Sequence, residues 1–354
     1  MRILYGVQGT GNGHISRARA MARELAKRNI EVQFVFTGRA RDDYFDMEAF
    51  GNFLCYRGLT FITKNGSIQY FATAANAGLG EFNRDVKNLD VAGYDLILVD
   101  FEPVTAWAAK RAKLPCIGIG HQYAFDHDIP IVGDNLVARS IMRHFAPVSQ
   151  GLGLHWHHFN NPILPPIIAD EELLSSQGDS GEVLVYLPFE DQSKVVDLLQ
   201  QFEGYRFNVF TNNHEAGDFG NASVHQQSFE GFQVALRNST GVICNAGFEL
   251  SSEALFLGKK LLVKPLAGQM EQLSNAEALK QLGLGRAMQQ LDAKEISDWL
   301  SISEAPKVDY PNVPAAITDW ILAGNFSDTK SLAQKLWSET SCDLLPELFT
   351  PPNL

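Results

Sequence analysis

Hydrophobic residues along this chain alternate between short continuous runs and longer stretches in which they recur every three or four positions. In the first 160 residues, the continuous runs predict buried strands, and the periodic stretches between them predict amphipathic helices. The predicted strands lie near Ile3 and at 32–36, 96–99 and 116–119, and the predicted helices lie at 15–27, 82–90 and 104–112. Strands that alternate with helices in this way are typical of a parallel, doubly wound α/β sheet.

The same alternation returns in the second half of the chain. Its predicted strands lie at 182–187, 207–210, 241–244 and 261–263, and its predicted helices lie at 194–200, 229–236 and 248–257. Between the halves, the proline-rich stretch 160–166 can continue neither a helix nor a central strand, because proline lacks a backbone N–H. The sequence therefore predicts two α/β domains at 1–160 and 181–312, a linker at 161–180, and helices with an irregular tail at 313–354.

A strand, a glycine turn and a helix follow one another around Asn245-Ala246-Gly247. Because the first backbone N–H groups of a helix have no partner within it, such a turn attracts an anion. Glu253 lies about two helical turns further on, and a polar cluster follows the next predicted strand. That cluster contains Gln269, Glu271, Gln272 and Asn275. Polar side chains grouped around an anion-binding turn predict a site for a nucleotide diphosphate.

The order of residues from Cys244 to Ala276 resembles the donor motif of GT-B glycosyltransferases. These include UDP-glucuronosyltransferases and the lipid-linked N-acetylglucosaminyltransferase of peptidoglycan synthesis, families 1 and 28. The resemblance implies two Rossmann-like domains that face each other across a cleft, the first binding the acceptor and the second the donor, with the last helices crossing back to the first domain. The implied activity is transfer of a hexose-type sugar from a UDP-sugar to a hydroxyl group, with inversion and without a metal ion or other cofactor.

The same resemblance implies roles for residues of the second domain. The backbone amides of Ala246, Gly247 and Phe248 would hold the diphosphate, with Asn245 beside them. Glu253 would bind the ribose hydroxyls, and Glu271 and Gln272, with Gln269 nearby, would bind the donor sugar, because carboxylate and amide groups match paired hydroxyls.

Two departures from the family pattern concern charge at the phosphate site. Many relatives have His-Gly-Gly where this chain has Asn245-Ala246-Gly247, so a neutral amide replaces a side chain that can carry charge. A carboxylate at Glu249 would repel a diphosphate unless the side chain turned away. The missing histidine leaves open a non-catalytic nucleotide-sugar-binding or scaffold protein. A second alternative is an epimerase acting on UDP-N-acetylglucosamine, because such enzymes use the same double fold and donor residues.

A second glycine turn, from Gly9 to His14, joins the first strand to the first helix. It lacks the Gly-Lys-Ser/Thr of a P-loop and the glycine spacing of a dinucleotide site. In the glycosyltransferases that this chain resembles, a Gly-His at this point supplies the general base, and an aspartate after a later strand orients it. The resemblance therefore implies that His14 is the base and Asp100 its partner, although His14 could instead cap the helix or contact phosphate. Acceptor or phosphate contacts are expected from Gly11, Asn12 and Gly13.

Further polar residues lie near predicted strand ends. Glu102 could serve as a base or contact the acceptor, and His121 could lie near the acceptor or be held by loop backbone. Arg17 and Lys264 could supply positive potential to an anionic donor. We expect segment 61–77 among the acceptor loops, and the loops at 188–190 and 211–212 beside the nucleotide.

A histidine-rich stretch precedes the predicted linker. If it is a strand, His155 and His157 share one face and could bind a metal ion. No nearby cysteine or paired carboxylate completes a ligand shell, so a partly buried strand is the preferred interpretation.

The net charge and the cysteine content indicate which binding partners and which cellular compartment to expect for this protein. With 29 basic and 41 acidic residues, the net charge of −12 argues against a broad nucleic-acid surface and against electrostatic docking to an anionic membrane. The four cysteines are widely spaced, without the pattern of a secreted domain, and we expect a reducing cytoplasmic location. No leader or membrane-spanning run is evident, which leaves open a lipid-linked acceptor met at the membrane surface.

Overall fold

Two parallel β-sheets, each covered by helices, make up most of the computed structural model. It describes residues 1–59, 63–64, 67–68, 78–134, 136–168, 178 and 180–354. The strands of the first part are β1 (Arg2–Gln8), β2 (Glu31–Thr37), β3 (Leu54–Tyr56), β4 (Thr63–Lys64), β5 (Ser67–Ile68), β6 (Leu96–Asp100), β7 (Cys116–Gly120) and β8 (Gln150–Gly153). Six of them form one parallel sheet in the order β3-β2-β1-β6-β7-β8, while β4 pairs with β5.

The helices of this part connect consecutive strands, as the parallel arrangement requires. They are α1 (Asn12–Lys27), α2 (Leu79–Asn88), α3 (Pro103–Ala112) and α4 (Leu136–His144). Ile15, Ala18, Met21 and Leu25 recur on one face of α1 and are buried against the sheet. All five residues of β6 are buried, as expected for a strand covered on both faces.

The second sheet repeats this topology. Its strands are β9 (Glu182–Tyr186), β10 (Arg206–Phe210), β11 (Gly217–Phe219), β12 (Ala222–His225), β13 (Gly241–Asn245), β14 (Lys260–Lys264) and β15 (Arg286–Ala287). They lie in the order β11-β12-β10-β9-β13-β14-β15, and β11 is antiparallel to its neighbour. The helices are α5 (Gln192–Leu199), α6 (Phe229–Asn238), α7 (Phe248–Phe256), α8 (Met270–Gln281) and α9 (Ala293–Leu300).

Strand order reverses at the centre of each sheet, between β1 and β6 in the first and between β9 and β13 in the second. Open α/β sheets bind ligands beyond the carboxyl ends of the strands at such a reversal. His14 follows β1 and Asp100 ends β6, while Asn245 ends β13. The two predicted clusters therefore lie at the expected binding edge of each sheet, and the predicted doubly wound α/β class is confirmed.

The end of the chain contacts helix α1 and the loop around Ile163. It contains α10 (Val313–Ala323) and α11 (Thr329–Ser338), the strand pair β16 (Val308–Asp309) and β17 (Ser341–Cys342), and a 3₁₀ turn at Pro346–Phe349. Helix α10 packs against α1, where Arg28 Nε lies 2.7 Å from Asp319 Oδ1. The Trp337 indole donates to the Ile163 carbonyl over 2.7 Å.

Some elements escaped prediction because their residues carry little periodic signal. The short strands β3, β8, β12 and β15 are two to four residues long. Helix α8 buries polar residues such as Gln272, Ser274 and Asn275, so it shows no amphipathic pattern.

The prediction of a strand at 155–158 is wrong. These residues are irregular, with a bend at Trp156 before a turn at 159–160, and the imidazoles of His155 and His157 accept backbone N–H bonds, over 3.4 and 3.0 Å, from the residues two positions ahead. Asx-like bonds of this kind bend the chain instead of extending it. Of the predicted linker, residues 169–177 and 179 lie outside the described part of the chain.

Within the described part of the chain, no helix is both long and apolar enough to cross a membrane. The four cysteines are free thiols, three of them buried.

Candidate active site

A cavity of about 420 Å³ lies between the two sheets and is lined by residues of both. Its volume is within the range of small-molecule binding sites. From the first half of the chain it takes residues 10–13 and 15–16 together with Arg19, Arg39 and Phe45. From the second half it takes Tyr186, Pro188, Phe189, residues 227–229, Phe232, Gln233, Asn245, Gly247, Glu249, Leu250, Glu253 and Gln272.

Two helices, one from each sheet, begin at this cavity. The residue before α1 is Gly11 and the residue before α7 is Gly247, and neither helix receives a side-chain cap on its first amides. Both glycines line the cavity, and a Cβ at Gly247 would meet nothing within 4 Å. The Gly247 N–H itself donates to the Asn245 carbonyl over 2.7 Å. The first amides of both helices and the positive ends of their dipoles therefore lie at one space, which suits an anion with two phosphates.

The structure brings His14 and Asp100 together. His14 lies in the first turn of α1, and its Nδ1 is 2.7 Å from Asp100 Oδ1 at the end of β6. The His14 side chain is 16% exposed, whereas Asp100 is fully buried. Although its neighbours Gly13 and Ile15 line the cavity, the His14 side chain stands beside it.

Arg17, one turn further along α1, holds the same carboxylate with two hydrogen bonds. Its Nε donates to Asp100 Oδ2 over 2.7 Å, and its Nη2 donates to Asp100 Oδ1 over 2.6 Å. Nη2 also lies 3.0 Å from His14 Nδ1. Burial alone would raise the pKa of Asp100, but the charge of Arg17 and the contact with His14 hold it below its usual value. Asp100 is therefore a carboxylate at neutral pH.

Glu249, at the cavity, pairs with a cation of the opposite half of the chain. It lies in the first turn of α7, where it lines the cavity, and its Oε1 pairs with Arg17 Nη1 of the first sheet's helix. The repulsion expected between this carboxylate and a diphosphate is thus offset by a buried cation.

Among the predicted donor residues, Asn245, Gly247, Glu253 and Gln272 line the cavity. Asn245 Nδ2 donates to the Lys264 carbonyl over 2.9 Å, and Gln272 Oε1 accepts from the Leu266 backbone over 2.9 Å. These bonds fix the two amides at the edge of the cavity.

The other predicted donor residues lie around it. Ala246 and Phe248 are buried at the turn, and Gln269 precedes the first residue of α8. Glu271 accepts two bonds from Gln122 of the first sheet, over 3.1 and 3.2 Å. In this arrangement its carboxylate joins the two sheets.

Glu102 caps α3. Its two carboxylate oxygens accept from the backbone N–H groups of Val104 and Thr105, over 2.6 and 2.7 Å. Burial raises the pKa of Glu102, which is fully enclosed. Glu102 therefore stabilises the start of α3, and it is not among the residues that line the cavity.

His121 is fully buried where the two sheets meet. Its Nδ1 lies 2.8 Å from the Leu154 carbonyl and its Nε2 lies 2.6 Å from Asn275 Oδ1, and its ring stacks on Phe248 at 4.1 Å. Burial lowers the pKa of His121. Asn275 in turn donates to the Ala246 carbonyl over 3.0 Å, so His121 is linked to the glycine turn rather than to the open cavity.

Lys264 is also paired. Its Nζ lies 2.8 Å from Glu190 Oε1, and both side chains are buried. Glu190 belongs to the loop after β9, and Asn245 Nδ2 approaches the same oxygen at 3.4 Å. The positive charge of Lys264 is therefore paired with Glu190 at the carboxyl edge of the second sheet.

Sequence reasoning missed several residues of the cavity. Arg39 follows β2, and Gln227, Ser228 and Phe229 follow β12. The rule that loops after parallel strands line the site could have indicated Arg39 after the predicted strand β2, and residues 227–229 had β12 been recognised. Arg39 Nη2 donates to Asn12 Oδ1 over 2.8 Å, and the Arg19 guanidinium lies 4.9 Å from the Phe229 ring centre across the cavity.

In the described part of the chain, no group of three or more histidine, cysteine or acidic side chains is arranged to hold a metal ion. The predicted acceptor segment 61–77 lies outside the described residues, apart from the short strands β4 and β5.

The model of glycosyl transferase family 1 matches residues 1–303. No curated protein matches the sequence.

Solved structures with a similar fold are glycosyltransferases. SsfS6 of Streptomyces sp. SF2575 matches with a TM-score of 0.58 and 11% identity, over 96% of each chain. The glycosyltransferase of kitacinnamycin matches with a TM-score of 0.55 and 15% identity, over 96% of this chain and 95% of that one. SnogD of Streptomyces nogalater matches with a TM-score of 0.52 and 15% identity, over 91% of this chain and 99% of that one. At these identities the similarity concerns the fold, and it confirms the predicted GT-B architecture.

Proposed function

Because the chain belongs to glycosyl transferase family 1, we propose that it transfers a hexose-type sugar from a UDP-sugar to a hydroxyl acceptor, with inversion and without a metal ion. The observation that carries this proposal is the pair of uncapped helix ends, α1 and α7, at one cavity. Their amides would stabilise the charge that develops on the diphosphate leaving group, as preorganised donors do in other enzymes. This stabilisation comes from the chain itself and needs no bound cation.

The nucleoside would lie on the side of the second sheet. Glu253 lines the cavity and is mostly buried, so its carboxylate is suited to accept bonds from the two ribose hydroxyls. Phe229, Phe189 and Tyr186 line the same region and offer flat surfaces to a base. Gln272, whose Oε1 is already engaged, keeps its Nε2 for a sugar hydroxyl.

The base would be His14, and its tautomer decides whether it can act. If Nδ1 carries the proton and donates to Asp100 Oδ1, Nε2 is free to accept a proton from the acceptor hydroxyl. If Nδ1 instead accepts from Arg17, Nε2 carries the proton and cannot act as a base. The contact with Asp100 is 2.7 Å and the contact with Arg17 is 3.0 Å, which supports the first tautomer. As the acceptor oxygen attacks the anomeric carbon, Asp100 would stabilise the imidazolium formed.

The first test is thermal stabilisation of the protein by UDP, UDP-sugars, GDP-sugars and dTDP-sugars. We expect UDP compounds to raise the melting temperature of the wild type and not of Glu253→Ala. Glu203→Ala removes an exposed glutamate of the second domain and should respond like the wild type. No shift with any nucleotide would contradict the donor proposal.

Analysis of products separates transfer from the alternatives. Release of UDP that depends on an added hydroxyl acceptor supports transfer. Formation of an epimeric UDP-sugar without acceptor would instead identify an epimerase. Tight UDP binding without turnover on any acceptor would identify a non-catalytic binding protein.

A further inference from the structure

We propose that Arg17 is a positioning residue of the donor site. It holds Asp100 in the first domain, and by pairing with Glu249 of the second domain it screens the negative charge of Glu249 from the donor diphosphate. The inference rests on the proposed function, since it concerns the same phosphate site. It gives a side chain of the first domain a role at this site, through Glu249, without direct contact with the phosphates.

One cation serves two carboxylates in this arrangement. Arg17 is 1% exposed, and its Nε and Nη2 make the two bonds to Asp100. Its remaining terminal nitrogen, Nη1, pairs with Glu249 Oε1. The planar guanidinium can address both carboxylates at once because its five N–H groups point in fixed, separate directions.

Glu249 needs such a partner because of its place in the fold. It lies in the first turn of α7, beside the amides proposed to hold the diphosphate, and it lines the cavity. A free carboxylate at this point would repel phosphate oxygens, and the repulsion would be strong in a site shielded from water. Pairing with Arg17 directs its charge toward the first domain.

The sequence of α1 leaves room for this contact. A Cβ at Gly13 would lie 2.5 Å from Glu249 Oε2, and its three nearest neighbours would all be atoms of Glu249. The missing side chain at Gly13 therefore forms the gap through which the carboxylate reaches Arg17. Glycine is required here for close approach, not for an unusual backbone angle.

The pair exists only when α1 and α7 are in contact, as they are here. When the domains separate, Glu249 loses its cation and its charge faces the phosphate site. The donor is then held more weakly. Closure of the domains and tight binding of the diphosphate are in this way coupled through one ion pair.

The test is the affinity for UDP, measured by calorimetry, of the wild type, Arg17→Met, Glu249→Gln and the double variant. We expect Arg17→Met to weaken affinity about tenfold, the effect of one unscreened charge a few ångströms away. The double variant should recover most of the loss, and Glu249→Gln alone should bind at least as tightly as the wild type. Arg23→Met, which removes an exposed arginine of the same helix, should not change affinity.

A second variant leaves Arg17 and Asp100 intact, in case Arg17→Met fails to fold. Gly13→Ala should displace the Glu249 carboxylate and weaken UDP binding, and Glu249→Ala in the same chain should restore much of it.

If neither double variant binds better than its single parent, the screening role is refuted. If the wild type binds no nucleotide, the proposed function fails instead. A double-mutant cycle of Arg17 and Glu249 in urea unfolding then decides whether the pair joins the domains, and additive effects would refute that link.

Discussion

His121 and Asn275 meet across the boundary between the two sheets, with 2.6 Å between Nε2 and Oδ1. His121 follows β7 of the first sheet, and Asn275 lies in α8 of the second. Because Asn275 also donates to the Ala246 carbonyl, this contact ties the first domain to the turn before α7. The turn at the proposed phosphate site is therefore linked by hydrogen bonds, through Asn275, to a residue of the opposite domain.

Replacing His121 with phenylalanine tests this link. Phenylalanine can keep the stacking on Phe248 but loses both ring hydrogen bonds, to the Leu154 carbonyl and to Asn275 Oδ1. We expect the free energy of unfolding to fall by about 1–3 kcal/mol in urea denaturation. His155→Phe is the matched control, because His155 is equally buried but makes no described bond to α8. Equal losses in both variants would contradict a specific role for the His121 contact.

His14→Gln tests the proposed base. Glutamine removes proton transfer, so turnover of the donor identified by thermal shift should fall about 10²–10⁴-fold. Stabilisation by UDP should persist, because the His14 side chain does not line the donor cavity. The rate is followed as UDP release in the presence of acceptor, with His144→Gln, an exposed histidine of the same domain, as control. Unchanged turnover would exclude His14 as the base.

The pH dependence of stability reports on Asp100. Its pKa in the folded protein is held below the usual 3.8 because Arg17 and His14 outweigh the effect of burial. The carboxylate therefore stabilises the fold above about pH 3.8, and this contribution is lost as the pH falls through the lower folded value. Asp100→Asn should be less stable than the wild type by about 3–5 kcal/mol at neutral pH, since it leaves Arg17 without its main partner.

The difference between wild type and Asp100→Asn should shrink in acid, measured by urea unfolding between pH 7 and pH 3. Asp309→Asn, at a carboxylate that is 64% exposed, should show neither effect. A constant difference across this range would mean that the loss comes from packing rather than from charge.

Phe229→Ala separates recognition of the base from recognition of the phosphates. Phe229 lines the cavity, and Arg19 lies over one of its faces. Loss of stacking on an aromatic ring costs about 1–3 kcal/mol in other proteins that bind bases. We expect UDP affinity to fall by this amount while the affinity for inorganic pyrophosphate stays the same, both measured by calorimetry. A parallel fall for pyrophosphate would place Phe229 at the phosphates instead.

The fold was largely predictable because its main signals are local. Buried strands such as β6 and β13 are continuous apolar runs, and α1 carries an apolar face with helical spacing. The elements that escaped are those without such a signal. Helix α8 packs polar residues inward, and β12 is only four residues long.

The candidate site was predictable in part for the same reason. The turns before α1 and α7 are recognisable in the sequence as glycine-containing segments between a strand and a helix. Open α/β sheets bind ligands beyond the carboxyl ends of their strands, which is where these turns lie. The roles of His14 and Asp100, by contrast, came from resemblance to a family and stay predictions. The loop at 227–229 was missed together with the strand that precedes it.

Hydrophobic periodicity, glycine turns and proline interruptions were enough to determine the α/β class with two parallel sheets, because each depends on neighbours in the chain. The partners of the charged and polar side chains depend instead on how the domains pack. Arg17 contacts Glu249 only when the two sheets face each other. The same holds for His121 and Asn275, which are separated by 154 positions in the sequence. No local pattern encodes such contacts, so the tertiary structure alone decided which polar residues line the cavity and which join the domains.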